Sequence, residues 1–303
     1  MDISTNISKK IKQSNPSFIF TGIKGVGKKH TAIEVAKNVI CNQTPACKIC
    51  SECTRIERQI HPDVVLVEPQ EDDKEIKIES IRELIKSLNF SSAEGGKRIV
   101  IIDEAHRMNK SSANALLKTL EEPPKDTSFI LLSSNLYAMP ATIVSRCELV
   151  RFAPMTSEKM ASLAKIPLDH PFIAYAQGSV SSLSFLLANN EAIQKLINFL
   201  DKPIDSYKTI NQISTEVLEA VSSSTKPQEL ENIEYIFSMI IYSMLKRSDP
   251  EEVINNTSFL TSIQDSIEEI NKISKKIYLN TPASIVLENI LLEVTQCQRN
   301  LLK

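Results

Sequence analysis

Three groups of residues in this 303-residue chain have types and spacings suited to chemistry: a glycine loop with three lysines, two adjacent carboxylates, and a run of cysteines. The loop Gly22-Ile23-Lys24-Gly25-Val26-Gly27-Lys28-Lys29 follows the apolar run Phe18-Ile19-Phe20 and opens a helical pattern. A phosphate-binding loop has Gly, four residues, Gly, Lys, then Ser or Thr. Gly22, Gly27 and Lys28 fit, Gly25 lies between them, and Lys29 stands where the hydroxyl belongs. In such a loop backbone N–H groups converge on an anion at a helix N-terminus, the lysine reaches a terminal phosphate, and the hydroxyl binds magnesium. An ammonium cannot bind a metal, and Thr31, two positions on, faces another way on a helix. Two readings stay open: a loop that keeps its shape without efficient hydrolysis, so that ATP or ADP binding is in doubt, and one that still uses nucleotide. Lys29 favours the first.

The carboxylates are Asp103 and Glu104, directly after the apolar run Ile99-Val100-Ile101-Ile102. In a working site of this kind the first holds the magnesium shell and the second orients or deprotonates the attacking water. His106 has no evident chemical role and is read as a satisfied surface histidine.

Cys41, Cys47, Cys50 and Cys53 are four of the chain's six cysteines. Thiolates two residues apart on a tight turn can meet one tetrahedral ion, and Cys41 can close the fourth corner from a helix end. The expectation is structural Zn2+, since four protein ligands leave no position for water. Unmetallated thiols and an iron–sulfur cluster are the alternatives. His61 in His61-Pro62-Asp63 reads as part of a turn and not as a further ligand.

The elements that must position these groups alternate. Ile3, Ile7 and Ile11 suggest a lead-in helix, and Ala32, Ile33, Val35, Ala36, Val39 and Ile40 the face of a helix ending near Cys41. Val64 to Val67 reads as a strand covered on both faces, Glu68 to Lys77 as an exposed charged loop, and Ile78 to Leu88 as an amphipathic helix. Asn109 caps a helix that Leu120-Glu121-Glu122-Pro123-Pro124 stops. Ser128 to Asn135 is a further strand, whose Ser133, Ser134 and Asn135 either face a phosphate or simply end it. A short helix near Ala141, Ser145-Arg146-Cys147 and a last strand, Glu148 to Phe152, follow. Buried strands alternating with helices imply a parallel sheet with its ligand edge at the strands' C-terminal ends.

Beyond Pro154 the pattern is helical: Glu158 to Ala164, Phe172 to Ala176, Ser182 to Leu187 continuing into Ala192 to Leu200, then Tyr207 to Val221, Ile233 to Leu245, Ile263 to Leu279 and Ile285 to Leu302. Nothing there carries chemistry, and Cys297 reads as a small buried residue. Lys and Arg number 35 against 37 Asp and Glu, a net charge of −2 that argues against a surface given over wholly to nucleic acid. No apolar run approaches the roughly 20 residues of a membrane span, and the N-terminus lacks a signal-peptide core, so a cytoplasmic protein is expected.

Taken together, the near-complete glycine loop, the four-cysteine knuckle, Asp103-Glu104-Ala105-His106, Leu120 to Pro124 and Ser145-Arg146-Cys147 resemble the clamp-loader branch of the AAA+ family, with most weight on residues 15–155. The resemblance implies an α/β P-loop domain at 1–154 with a zinc knuckle at 41–53, a small helical lid at 155–201 and an all-α collar at 202–303. It makes Gly22, Gly25, Gly27, Lys28, Asp103 and Glu104 a vestigial nucleotide site. It makes Arg146 an arginine finger that projects into a neighbouring subunit's pocket. The family places a phosphate-sensing arginine at the start of the lid helix, where this chain has Gly178-Ser179-Val180-Ser181-Ser182. With Lys29, that is a second lost contact, which suits a non-hydrolysing subunit better than the ATP-hydrolysing gamma/tau type. Implied partners are the gamma/tau and delta subunits of DNA polymerase III and, through the complex, the sliding clamp and primed DNA. A rival from another class is a zinc-dependent nucleic-acid-binding regulator.

Overall fold

The computed structural model describes residues 3–41, 43, 45–69, 75–88, 90, 92, 96–201, 207–222, 226–246, 265, 268, 269, 272 and 282–301. The chain divides into two compact units, Met1–Met155 and Thr156–Lys303.

In the first unit, five short strands form one sheet: β1 (Phe18–Thr21), β2 (Val64–Val67), β3 (Arg98–Ile102), β4 (Thr127–Ser133) and β5 (Glu148–Arg151). They run in the order β2-β3-β4-β1-β5, every adjacent pair parallel, as the alternation of elements predicts. Side chains alternate across a strand, so the three central strands each feed two cores. Phe18, Phe20, Ile99, Ile101, Ile130 and Leu132 pack on one face with α1 (Ile3–Ser14), α2 (Lys28–Ile40) and α3 (Ser51–Glu57). Ile19, Val100, Ile102, Phe129 and Leu131 pack on the other with α4 (Ile78–Leu88), α5 (Lys110–Glu121) and α6 (Ala141–Val144). Burial on both faces explains the unbroken apolar runs of the three central strands.

One expectation needs correction here, and two details go beyond what the spacing implies. β2 is half-buried throughout and not fully covered, because it lies at a sheet edge. Ile3 is largely exposed, while Ile7 and Ile11 are buried as their spacing predicts. Helix α3 supplies a turn of structure between the cysteines and His61 that no apolar period announced.

The second unit is helical: α7 (Ser157–Ala164), α8 (Pro171–Tyr175), α9 (Val180–Ala188), α10 (Asn190–Asp201), α11 (Tyr207–Val221), α12 (Lys226–Lys246) and α13 (Ala283–Leu301). The expected continuous helix through residues 182–200 is broken. Asn189 ends α9, its side-chain amide donating to the Phe185 carbonyl at 2.9 Å, and α10 starts afresh. The helix expected over 263–279 lies largely outside the described residues, as does the side chain of Cys297. Among the described residues, no helix is long and apolar enough to cross a membrane.

Candidate functional site

The loop between β1 and α2 has the shape its glycines suggest. Gly27 sits at the N-cap of α2 in the left-handed region (φ 98°, ψ 18°), which costs a glycine little. Gly22 is required for a different reason: a Cβ there would lie 2.5 Å from the Phe152 carbonyl oxygen. Edge strand β5 thereby presses the loop against the sheet, and the Phe152 N–H donates to the Thr21 carbonyl at 2.7 Å.

Lys28 is buried, its Nζ donating to the loop's own carbonyls at Gly22 (2.8 Å) and Ile23 (2.9 Å). Burial pushes its ammonium below the usual lysine range, against the pull of Glu104 and Asp103. Thr31 Oγ1 donates back to the Gly27 carbonyl at 3.0 Å, so it does not replace the missing hydroxyl.

Lys29 turns toward the sheet edge. Its Nζ donates to Glu68 Oε1 and lies 3.6 Å from Asp103 Oδ2. Parallel pairing brings these acids together: Val67 is in register with Ile102, so Glu68 and Asp103 are the first residues beyond β2 and β3 at one edge. The Asp103 N–H donates to the Val67 carbonyl at 2.8 Å. Burial raises the Asp103 carboxyl above its ordinary range, with Lys29 acting against that rise. Glu68 is exposed and lies outside helix and strand, as expected, and its carboxylate also reaches the site through Lys29.

Glu104 follows in a left-handed conformation (φ 49°), with its N–H on Asp103 Oδ1 at 2.9 Å. Its Oε2 lies 3.5 Å from both His106 Nε2 and Arg107 Nε. His106 is no surface histidine. It is mostly buried, Nε2 sits 3.3 Å from Ser134 Oγ, and Nδ1 is buried without a partner. Burial lowers its pKa. Of the residues ending β4, Ser133 Oγ accepts from the Asn135 N–H and Asn135 Oδ1 caps the turn at Ala138, so both serve the local turn.

At the far end of α2 the four cysteine sulfurs lie within 4.8 Å of one another, Cys41 at 3.7 Å from Cys47 and 3.9 Å from Cys50. Four sulfurs about 2.3 Å from a tetrahedral ion would be about 3.8 Å apart. Backbone N–H groups of Gln43, Cys50 and Cys53 point at the sulfurs of Cys41, Cys47 and Cys50, which favours thiolates. Such donation from Ile49 and Cys50 holds Cys47 down to about 6, whereas burial pushes Cys53 up to about 12. The donor set fits a soft four-coordinate cation. His61 takes no part: its Nε2 is 2.8 Å from Glu52 Oε2, and Nδ1 accepts from the Asp63 N–H, so it braces the turn into β2 as expected.

Arg146 lies exposed after α6. Its guanidinium is held by Glu121 at the end of α5, Nε donating at 2.8 Å, and by the Thr142 carbonyl at 2.7 Å. Glu148, two positions further on, pairs with Lys10 instead. Glu121 could not be singled out from sequence, since it sits 25 positions away. In the second unit, Gly178 to Ser182 does open a helix: Ser179 Oγ caps α9 by accepting from the Ser182 N–H.

Comparison with known proteins agrees with this geometry. The family described as "DNA polymerase III, delta subunit" matches residues 3–156, just over half of the chain. The chain is 38% identical over 141 residues to the DNA polymerase III subunit delta' of Bacillus subtilis, covering 46% of this chain and 42% of that one. It is 30% identical over 209 residues to subunit tau of Salmonella typhimurium, covering 68% of this chain and 31% of that one. The chain thus spans about a third to two-fifths of these curated relatives' length. A DNA polymerase III gamma subunit-related protein of Thermotoga maritima shares the fold, with a TM-score of 0.55, 17% identity, and 98% and 100% of the two chains covered. With a parallel five-stranded sheet, a glycine loop and paired acids at one edge, the chain belongs to the DNA polymerase III delta subunit family, in the clamp-loader branch of AAA+ proteins.

Proposed function

We propose that this chain is a delta-prime-type subunit of the DNA polymerase III clamp loader, working in the cytoplasm as a structural member that hydrolyses little or no ATP itself. It stands beside gamma/tau and delta subunits, supports placement of the sliding clamp on primed DNA, and supplies Arg146 to a neighbour's ATP. The observation that carries the reading is the contrast between the loop and Arg146. Lys29 is committed to Glu68 and Asp103, inside the chain's own loop, whereas the Arg146 guanidinium lies at the surface, held by Glu121, the Thr142 carbonyl and Ser145 Oγ. A guanidinium near a terminal phosphate stabilises the transition state, by roughly 10³ to 10⁵ in rate for well-placed fingers.

Cys41, Cys47, Cys50 and Cys53 would hold Zn2+, which supplies a cross-link between the end of α2 and the start of α3. The lid at 155–201 and collar at 202–303 remain assignments by resemblance.

Arg146→Ala in a reconstituted loader tests the reading: it should leave assembly intact and lower DNA-stimulated ATP turnover several-fold or more. Unchanged turnover would remove Arg146 from the role. A gamma/tau-type ATPase is the second reading, favoured by the longer stretch matched to tau. Brisk magnesium-dependent hydrolysis by the isolated chain would establish it instead.

A further inference from the structure

The P-loop fold implies a magnesium ion beside the nucleotide, and the residues present do not fit one. Three observations agree. Lys29 replaces the hydroxyl ligand, and its ammonium sits between the carboxylates of Glu68 and Asp103. Thr31, the nearest hydroxyl along α2, is spent on the Gly27 carbonyl. Lys28 is turned onto the loop's own carbonyls.

Magnesium demands near-octahedral oxygen ligands and gives up water reluctantly. A lysine offers three donors and no acceptor, so at that position it can only repel the ion. Glu68 and Lys29 are each roughly two-fifths exposed, and as an ion pair they add little stability. Their consequence is occupancy: a covalently tethered cation is present at high effective concentration, and it already offsets part of the charge that would attract a divalent one.

We propose that Lys29 stands in for the divalent cation, so that the Glu68–Asp103 edge excludes magnesium and any phosphate group entering the loop does so without metal. The proposal deepens the reading of the chain as a non-hydrolysing subunit and rests on it. It also predicts reversal: a hydroxyl at position 29 would free both carboxylates and restore a metal ligand.

The test is manganese binding to the full chain, followed by electron paramagnetic resonance with and without ADP. Manganese prefers oxygen donors and leaves cysteine sulfurs alone. Wild type should bind no stoichiometric Mn2+. Lys29→Ser, shown folded by circular dichroism, should bind one per chain with ADP and lose it on adding Asp103→Asn. A wild-type site that Asp103→Asn abolishes would overturn the proposal, and so would a folded Lys29→Ser that binds none. As a second readout, magnesium should change wild-type affinity for a fluorescent ADP less than about twofold and raise that of Lys29→Ser about tenfold or more. A tenfold magnesium effect on wild type would again overturn it. These readouts are independent of turnover by the assembled loader, on which the proposed function stands or falls through Arg146.

Discussion

The two ends of α2 treat positive charge in opposite ways. At its start the chain brings its own cation, Lys29, to two carboxylates. At its finish, roughly 20 Å away for a helix of this length, four sulfurs converge and the only charges they can carry are negative. Each end bears a familiar motif, yet only the cysteine end keeps a donor set that a metal can use. A motif therefore reports ancestry, while the charges that fold against it decide whether an ion can bind.

The comparison can be broken most forcefully at the cysteine end. Cys50→Ala, or stripping of metal by a strong chelator, should lower the melting temperature of the first unit by on the order of 10 °C or more, since binding energy at a structural site is folding energy. Calorimetry with metal analysis checks this, and a melting curve indifferent to chelation would refute the metal site. At the loop end, Gly22→Ala should cost about 2 kcal/mol, because a Cβ 2.5 Å from the Phe152 oxygen forces β5 and the loop apart. Denaturant unfolding measures the loss.

Glu34 sharpens the comparison from the middle of α2. Lys37, which is buried, sits between Glu34 and Glu57, and Lys48 from the cysteine loop also pairs with Glu34. Burial opposes the charged form of Glu34, but hydrogen bonds from Lys37 and Lys48 outweigh it and hold the carboxyl below its ordinary value of 4.5. A depressed carboxyl stabilises the fold above its unfolded pKa and loses that contribution as pH falls through the folded one. Glu34→Gln should therefore cost about 1 kcal/mol at pH 7, with the difference from wild type shrinking below pH 4.5. A pH series of thermal melts shows whether it does. The smallest effect is expected at Glu121→Gln, which loosens Arg146 outside both ends of α2. Stability should change by no more than about 0.5 kcal/mol, and metal content should not change.

Much of this architecture was legible in the sequence because it depends on local order. The apolar runs at Phe18, Ile99 and Phe129 mark central strands because both their faces are covered, and the glycines of the loop mark a backbone that bends too tightly for other residues. Asn109 could be read as a cap because its Oδ1 needs only the N–H of Ser112, three residues on. What escaped were pairings between distant positions. Glu68 read rightly as loop and Glu121 as part of a helix stop, but not as the partners of Lys29 and Arg146, and His106 looked like surface.

By itself the amino-acid order determined the strand–helix alternation, the glycine turn and the clustering of four thiols, since each arises from residues close along the chain. Tertiary structure alone decided that Lys29 meets Glu68 and Asp103 and that Arg146 rests on Glu121 and not Glu148. The physical reason is register: hydrogen bonding of β2 beside β3 sets two carboxylates at one edge, and no local spacing encodes which strands become neighbours.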